Sequence, residues 1–154
     1  MRILSFILFF CIQGVYAQQR FPLVRDDYKF KVVYHCPCEK IIESSKIGFI
    51  AQRCDYQSLT EIMVPIPKSV NFNNDQTIDD FIKEVSNRPG FIQFIFVKRN
   101  PNRIHVRFLE RNITHESALI IGKSFDYILV CASISKDFKP KLAKEFIQSF
   151  KELK

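Results

Sequence analysis

The side chains best suited to chemistry in this chain are its cysteines and histidines, and they are few. His35-Cys36-Pro37-Cys38 places three potential metal ligands within one short run, with Cys54 and Cys131 further along. A structural zinc site ordinarily repeats a C-x2-4-C unit, and the second unit is missing here. No C-x-x-C redox motif occurs. Acid–base hydrolysis of the ribonuclease kind needs two histidines within reach of one substrate, and nothing in the spacing of His35, His105 and His115 brings any two of them together. His105 alternates with Ile104 and Val106, as on the polar face of a strand, and His115 follows the sequon Asn112-Ile113-Thr114. There is no G-x-S-x-G and no glycine-rich phosphate loop. Asp79-Asp80 is explained by the start of a helix, where carboxylates complement the dipole. A small secreted hydrolase is therefore the third choice of function, and neither metal nor cofactor is expected.

The compartment decides what the cysteines do. Met1-Arg2 precedes an apolar run from Ile3 to Ile12, and Val15-Tyr16-Ala17 resembles a cleavage site, so residues 1–17 read as a signal peptide. Gln13 and Gly14 stop the run well short of the roughly 20 apolar residues a spanning helix needs, and no transmembrane segment is expected elsewhere. Cleavage removes Cys11 and leaves Cys36, Cys38, Cys54 and Cys131, an even set that reads as two disulfides in an oxidising compartment. One arrangement closes a small ring between Cys36 and Cys38 and joins Cys54 to Cys131. The preferred one pairs either Cys36 or Cys38 with Cys54 and the other with Cys131, which constrains long loops most. The same compartment makes Asn112 an acceptor for an N-linked glycan at a surface turn.

Residues 18–154 suffice for one disulfide-linked globular domain with a core of its own. The formal net charge is +7, and removal of Arg2 lowers it to +6. The basic residues are dispersed, which argues against specific nucleic-acid binding. Strand patterns run from Tyr28 to Tyr34, Ile47 to Cys54 and Thr60 to Ile66, with Pro65 and Pro67 marking an edge or an end of the last. A polar turn at Glu43-Ser44-Ser45-Lys46 separates the first two. Thr77 caps a predicted helix over 77–88, in which Ile78, Phe81, Ile82 and Val85 form one stripe and Pro89-Gly90 is the stop. Phe91–Lys98 and Arg103–Glu110 read as a hairpin around Arg99-Asn100-Pro101-Asn102. The first of these is apolar on both faces, as expected of a central or barrel-lining strand. Ser117–Ile121 and Tyr127–Ser133 are further strands. Asp137 and Pro140 open a C-terminal amphipathic helix over 138–153, with Leu142, Phe146, Phe150 and Leu153 in its stripe, which packs on the sheet. The fold class is α+β: a mostly antiparallel sheet or barrel of about seven strands with a mid-chain and a C-terminal helix.

Two stretches resemble the lipocalins, the secreted barrels of the calycin group that carry small hydrophobic molecules. Cys36/Cys38 to Cys54, with Gly48 between, is similar to that family's paired-cysteine strands. Ser124 to Cys131 resembles its Thr-Asp-Tyr turn and following strand, with Asp126 and Tyr127 at the matching positions. The family's Gly-x-Trp signature is absent, for the chain has no Trp, and the helix at 77–88 interrupts the strand order. The resemblance implies a barrel mouth with an apolar ligand. The candidate lining is Phe94, Phe96, Ile104, Val106 and Phe108, since ligand cavities are mostly apolar. The leading expectation is a secreted, non-enzymatic, lipid-binding carrier. The alternative is an extracellular protein, such as a ligand, inhibitor or signalling factor, that acts on a protein partner through its surface around a filled core.

Overall fold

The computed structural model describes residues 20–37, 40–44, 49–56, 58–68 and 74–154. Residues 1–17, expected to be a signal peptide, lie outside them, as do Cys38 and Gly48. Ten strands and two helices follow in the order β1 (Phe21–Arg25), β2 (Phe30–Tyr34), β3 (Lys40–Ser44), β4 (Phe49–Tyr56), β5 (Leu59–Pro67), α1 (Asn74–Ser86), β6 (Phe91–Asn100), β7 (Arg103–Glu110), β8 (Ile113–Ile121), β9 (Phe125–Ile134), α2 (Pro140–Ser149) and β10 (Lys151–Glu152). All strand pairs are antiparallel. Seven strands make a sheet in the order β3-β4-β5-β9-β8-β7-β6, and β1, β2 and β10 make a smaller one.

The large sheet is open, with β3 and β6 as its edges. The expected barrel closure is not formed among the described residues. The reason lies in α1, which links β5 to the far edge of the sheet and seals one face as it crosses. Its stripe of Ile78, Phe81, Ile82 and Val85 packs on Ile104, Val106, Phe108, Leu119 and Ile121 of β7 and β8. The other face is covered by α2 and the small sheet. There Phe30, Val32 and Tyr34 of β2 and Ala143, Phe146 and Ile147 of α2 meet Met63, Ala118, Tyr127, Leu129 and Cys131. Alternation along a strand sends successive side chains to opposite faces, so β8 and β9 contribute to both cores at once.

Several boundaries differ from expectation. α1 begins at Asn74, which puts Thr77 inside the helix instead of at its cap. α2 begins at Pro140 with Lys139 at the cap, after a 3-10 turn at Ser135–Asp137 that contains Asp137. It ends at Ser149, because Phe150 turns to extended backbone and Lys151–Glu152 pairs with Lys31 and Phe30 of β2. Glu43 and Ser44 belong to β3, not to a turn. β5 is a central strand despite Pro65 and Pro67: its described pairs with β4 end at Met63, so both prolines lie past that ladder and remove no bond from it. β6, expected to be central, is an edge.

The hairpin of the small sheet is fastened to the large one. Its turn carries Lys29 at φ 54, and the buried Tyr127 hydroxyl reaches the carbonyls of Tyr28 and Lys29 at 3.0 and 3.1 Å. Ser149 secures α2 to β2, accepting from the Val33 amide at 2.9 Å.

Candidate functional site

The five side chains nominated as a ligand lining do not come to one surface. Ile104, Val106 and Phe108 alternate along β7 and are buried beneath α1. Phe94 joins them, its ring 6.3 Å from that of Phe108 and 4.9 Å from that of Phe91. A register shift between Phe94 and Phe96 then turns β6, and Phe96 pairs with Arg107 on the opposite face. There it lies 5.0 Å from the Arg107 guanidinium and edge-on to His105.

On the α2 face, a single row across the neighbouring strands β5, β9 and β8 places Glu61, Cys131 and Glu116 side by side. All three are buried. Glu61 accepts from the His35 amide at 3.0 Å and is bonded to His35 Nδ1. The other ring nitrogen of His35 lies 3.5 Å from Glu145 of α2, which itself pairs with Arg20 at 3.2 Å. The hydrogen bond to Glu61 raises the His35 pKa, against the opposing effect of burial. Glu116 receives Arg107 Nε and Nη2 at 2.9 and 2.6 Å and is 2.8 Å from His105 Nε2. Each buried carboxylate is thus answered by a hydrogen-bonded cation or imidazole, the condition for tolerating buried charge.

Cys36 and Cys54 form a disulfide with their Cα atoms 5.8 Å apart, closing a loop with a sequence separation of 18. Cys131 is a free thiol, which corrects its expected place in a second bridge. It faces α2, where Sγ lies 3.9 Å from the Ala143 carbonyl. Burial, with the nearby Glu61 and Glu116, pushes its pKa well up, so the reactive thiolate is suppressed. Cys38 lies outside the described residues. Glu61 and Glu116 were not among the sequence candidates. Their only signal was charge at inward positions, between Leu59 and Met63 for Glu61.

His105 and His115 project from opposite faces of the sheet, since His105 pairs with Ala118 and His115 with Phe108. They cannot share one proton-transfer event, which needs contacts of about 3 Å. His115 stacks on Phe108 at 4.7 Å, and burial lowers its pKa. Asn112 is exposed in the β7–β8 turn beside Arg111 at φ 53, where its carbonyl accepts from the Ser135 amide.

Among the described residues, three clefts border the two cores. One of about 130 Å³ lies between α1 and the sheet, with Asp80, Glu84 and Asp126 among apolar neighbours Ile66, Phe81 and Ile128. An open hollow of about 460 Å³ is bordered by Lys29, Lys123, Ser124, Glu152, Leu153 and Lys154. The third, about 130 Å³, lies where the β6–β7 hairpin meets α2 and is lined by Lys98, Asn100, Arg103, His105 and Gln148. Among the described residues no cluster of His, Cys, Asp and Glu is arranged to hold a metal, and no helix is long and apolar enough to cross a membrane. No protein-family model matches the chain, and no curated protein matches it significantly.

Proposed function

We infer that this is a secreted binding protein that acts through its outer surface and does not hold a ligand inside. The observation that carries this reading is the fate of the apolar surplus. Phe94, Ile104, Val106 and Phe108 are consumed in the core under α1, and Phe96 is spent on the other face. A site for a drug-sized apolar ligand is expected to offer about 300–1,000 Å³ lined mainly by hydrophobic groups. Among the described residues, the hollow that reaches that volume is rimmed by lysines and a glutamate. The Cys36–Cys54 bridge supports an oxidising compartment, and the separation of His105 from His115 favours binding over hydrolysis. Exposure of Asn112 suits a glycan at the β7–β8 turn.

The test is titration of the chain, purified from the medium of secreting cells, with fluorescent fatty-acid and retinoid probes, alongside lipid extraction. No saturable signal and no co-purified lipid are expected. Stoichiometric probe binding that Phe108→Ala abolishes would overturn the reading. Mass analysis of the same material checks the rest: an N-terminus at Gln18 and a glycan lost in Asn112→Gln are expected, and retention in cells with residues 1–17 intact would contradict secretion.

A further inference from the structure

We propose that the cleft between the β6–β7 hairpin and the end of α2 binds a sulfate group of a sulfated polysaccharide. Cross-strand pairing of Lys98 with His105 and of Asn100 with Arg103 brings these four side chains to the same face. Gln148 closes the space to about 130 Å³, a size suited to one tetrahedral oxyanion. No carboxylate lines this cleft, in contrast to the other two. Glu116 stands behind His105, and Arg107 already answers its charge.

Arg103 is the centre of the argument. Its guanidinium is half-buried and donates to the Ile147 carbonyl at 3.2 Å. Among the described residues no acidic side chain pairs with it or with Lys98. Burial accordingly lowers its pKa. A desolvated cation whose partner is a neutral carbonyl is stabilised when an oxyanion supplies charge-assisted hydrogen bonds. Lys144 and Lys141 are exposed one and two turns before Gln148, roughly 6 and 10 Å along the axis. These two lysines extend the basic surface out of the cleft at spacings that a linear polyanion matches, and the Glu145 carboxylate beside them is paired with Arg20 at 3.2 Å. Asn100 and Gln148 can bond sugar hydroxyls. No Phe or Tyr lines the cleft for base stacking, and nothing apolar there would enter a bilayer.

The polysaccharide as partner rests on the secreted reading, since such chains are extracellular. The mass and location assay above tests secretion, whereas affinity is measured in vitro on the purified chain, so the two can fail separately. Anisotropy of a fluorescein-labelled heparin octasaccharide at physiological salt is the readout. Lys98→Gln, Lys144→Gln and Arg103→Gln should each weaken binding on the order of tenfold, the scale of one lost charge-assisted contact. The paired control Lys123→Gln/Lys154→Gln, in the other lysine-rimmed hollow, should bind as wild type. Lys98 and Lys144 are exposed, so their variants report even where Arg103→Gln fails to fold. Equal loss in the control, equal affinity for desulfated heparin, or tighter binding to single-stranded DNA or phosphatidylserine vesicles would each overturn the proposal.

Discussion

At the scale of single residues, the buried polar row on the α2 face is the feature with the largest consequences. His35 is held by Glu61 and Glu145, and its folded pKa is raised above the ordinary 6.5. A group with a raised folded pKa contributes stability fully below its unfolded value, and that contribution is lost as pH rises through the folded one. Urea midpoints should therefore fall as pH climbs from 6.5, and His35→Gln should remove that part of the slope whatever its own effect at low pH. Glu61→Ala strips a buried partner and should cost about 3–5 kcal/mol by urea denaturation. A second prediction concerns Cys131. Iodoacetamide should leave its peptide unlabelled in the native protein and label it fully in denaturant, as read by mass mapping; native labelling would contradict its burial. Little of this row was legible beforehand. The pairing Cys36–Cys54 was one of the alternatives, but the partnerless state of Cys131 depends on which strands become neighbours. Glu61, Cys131 and Glu116 are far apart in sequence and meet only because β9 runs between β5 and β8.

At the scale of elements, local periodicity revealed what local forces decide. The stripe of α1, the β6–β7 hairpin and the amphipathic face of α2 all follow from spacing and turn chemistry. Strand order does not, and β6 shows why. Its mixed apolar pattern suits a buried central strand, yet Ile92, Ile95 and Val97 are about half exposed at the edge. The short strands β1, β3 and β10 escaped notice because their pairing partners, and not their own patterns, define them. The contrast between β6 and its neighbour makes a direct prediction. Phe108→Ala on β7 opens a cavity in the core under α1 and should cost about 3–5 kcal/mol. Ile95→Thr should change stability by no more than about 0.5 kcal/mol, as for an ordinary surface position. Equal losses in urea melts would mean that β6 is covered in solution.

At the scale of the whole molecule, one sheet carries two cores, and their coupling is the remaining physical question. β8 and β9 supply Leu119 and Ile128 to one side and Ala118, Leu129 and Cys131 to the other, so neither core can lose its sheet wall alone. The Cys36–Cys54 bridge lies wholly on the α2 side, and for a loop of its length the unfolded-chain model assigns about 3 kcal/mol. If the two sides unfold together, reducing the bridge should lower the melting of the α1 side as well. The chain offers a natural way to see this. It has no Trp, and Tyr28, Tyr34, Tyr56 and Tyr127 all lie in or against the α2-side core, while the aromatic residues of the α1-side core are phenylalanines. Tyrosine fluorescence therefore reports one side, and far-ultraviolet circular dichroism reports the whole backbone. Val85→Ala removes contacts only under α1. In a two-state molecule it should move the tyrosine and backbone midpoints by the same amount of urea. A backbone transition that separates from an unshifted tyrosine transition would show that α1 and its core unfold independently of the bridge-bearing side.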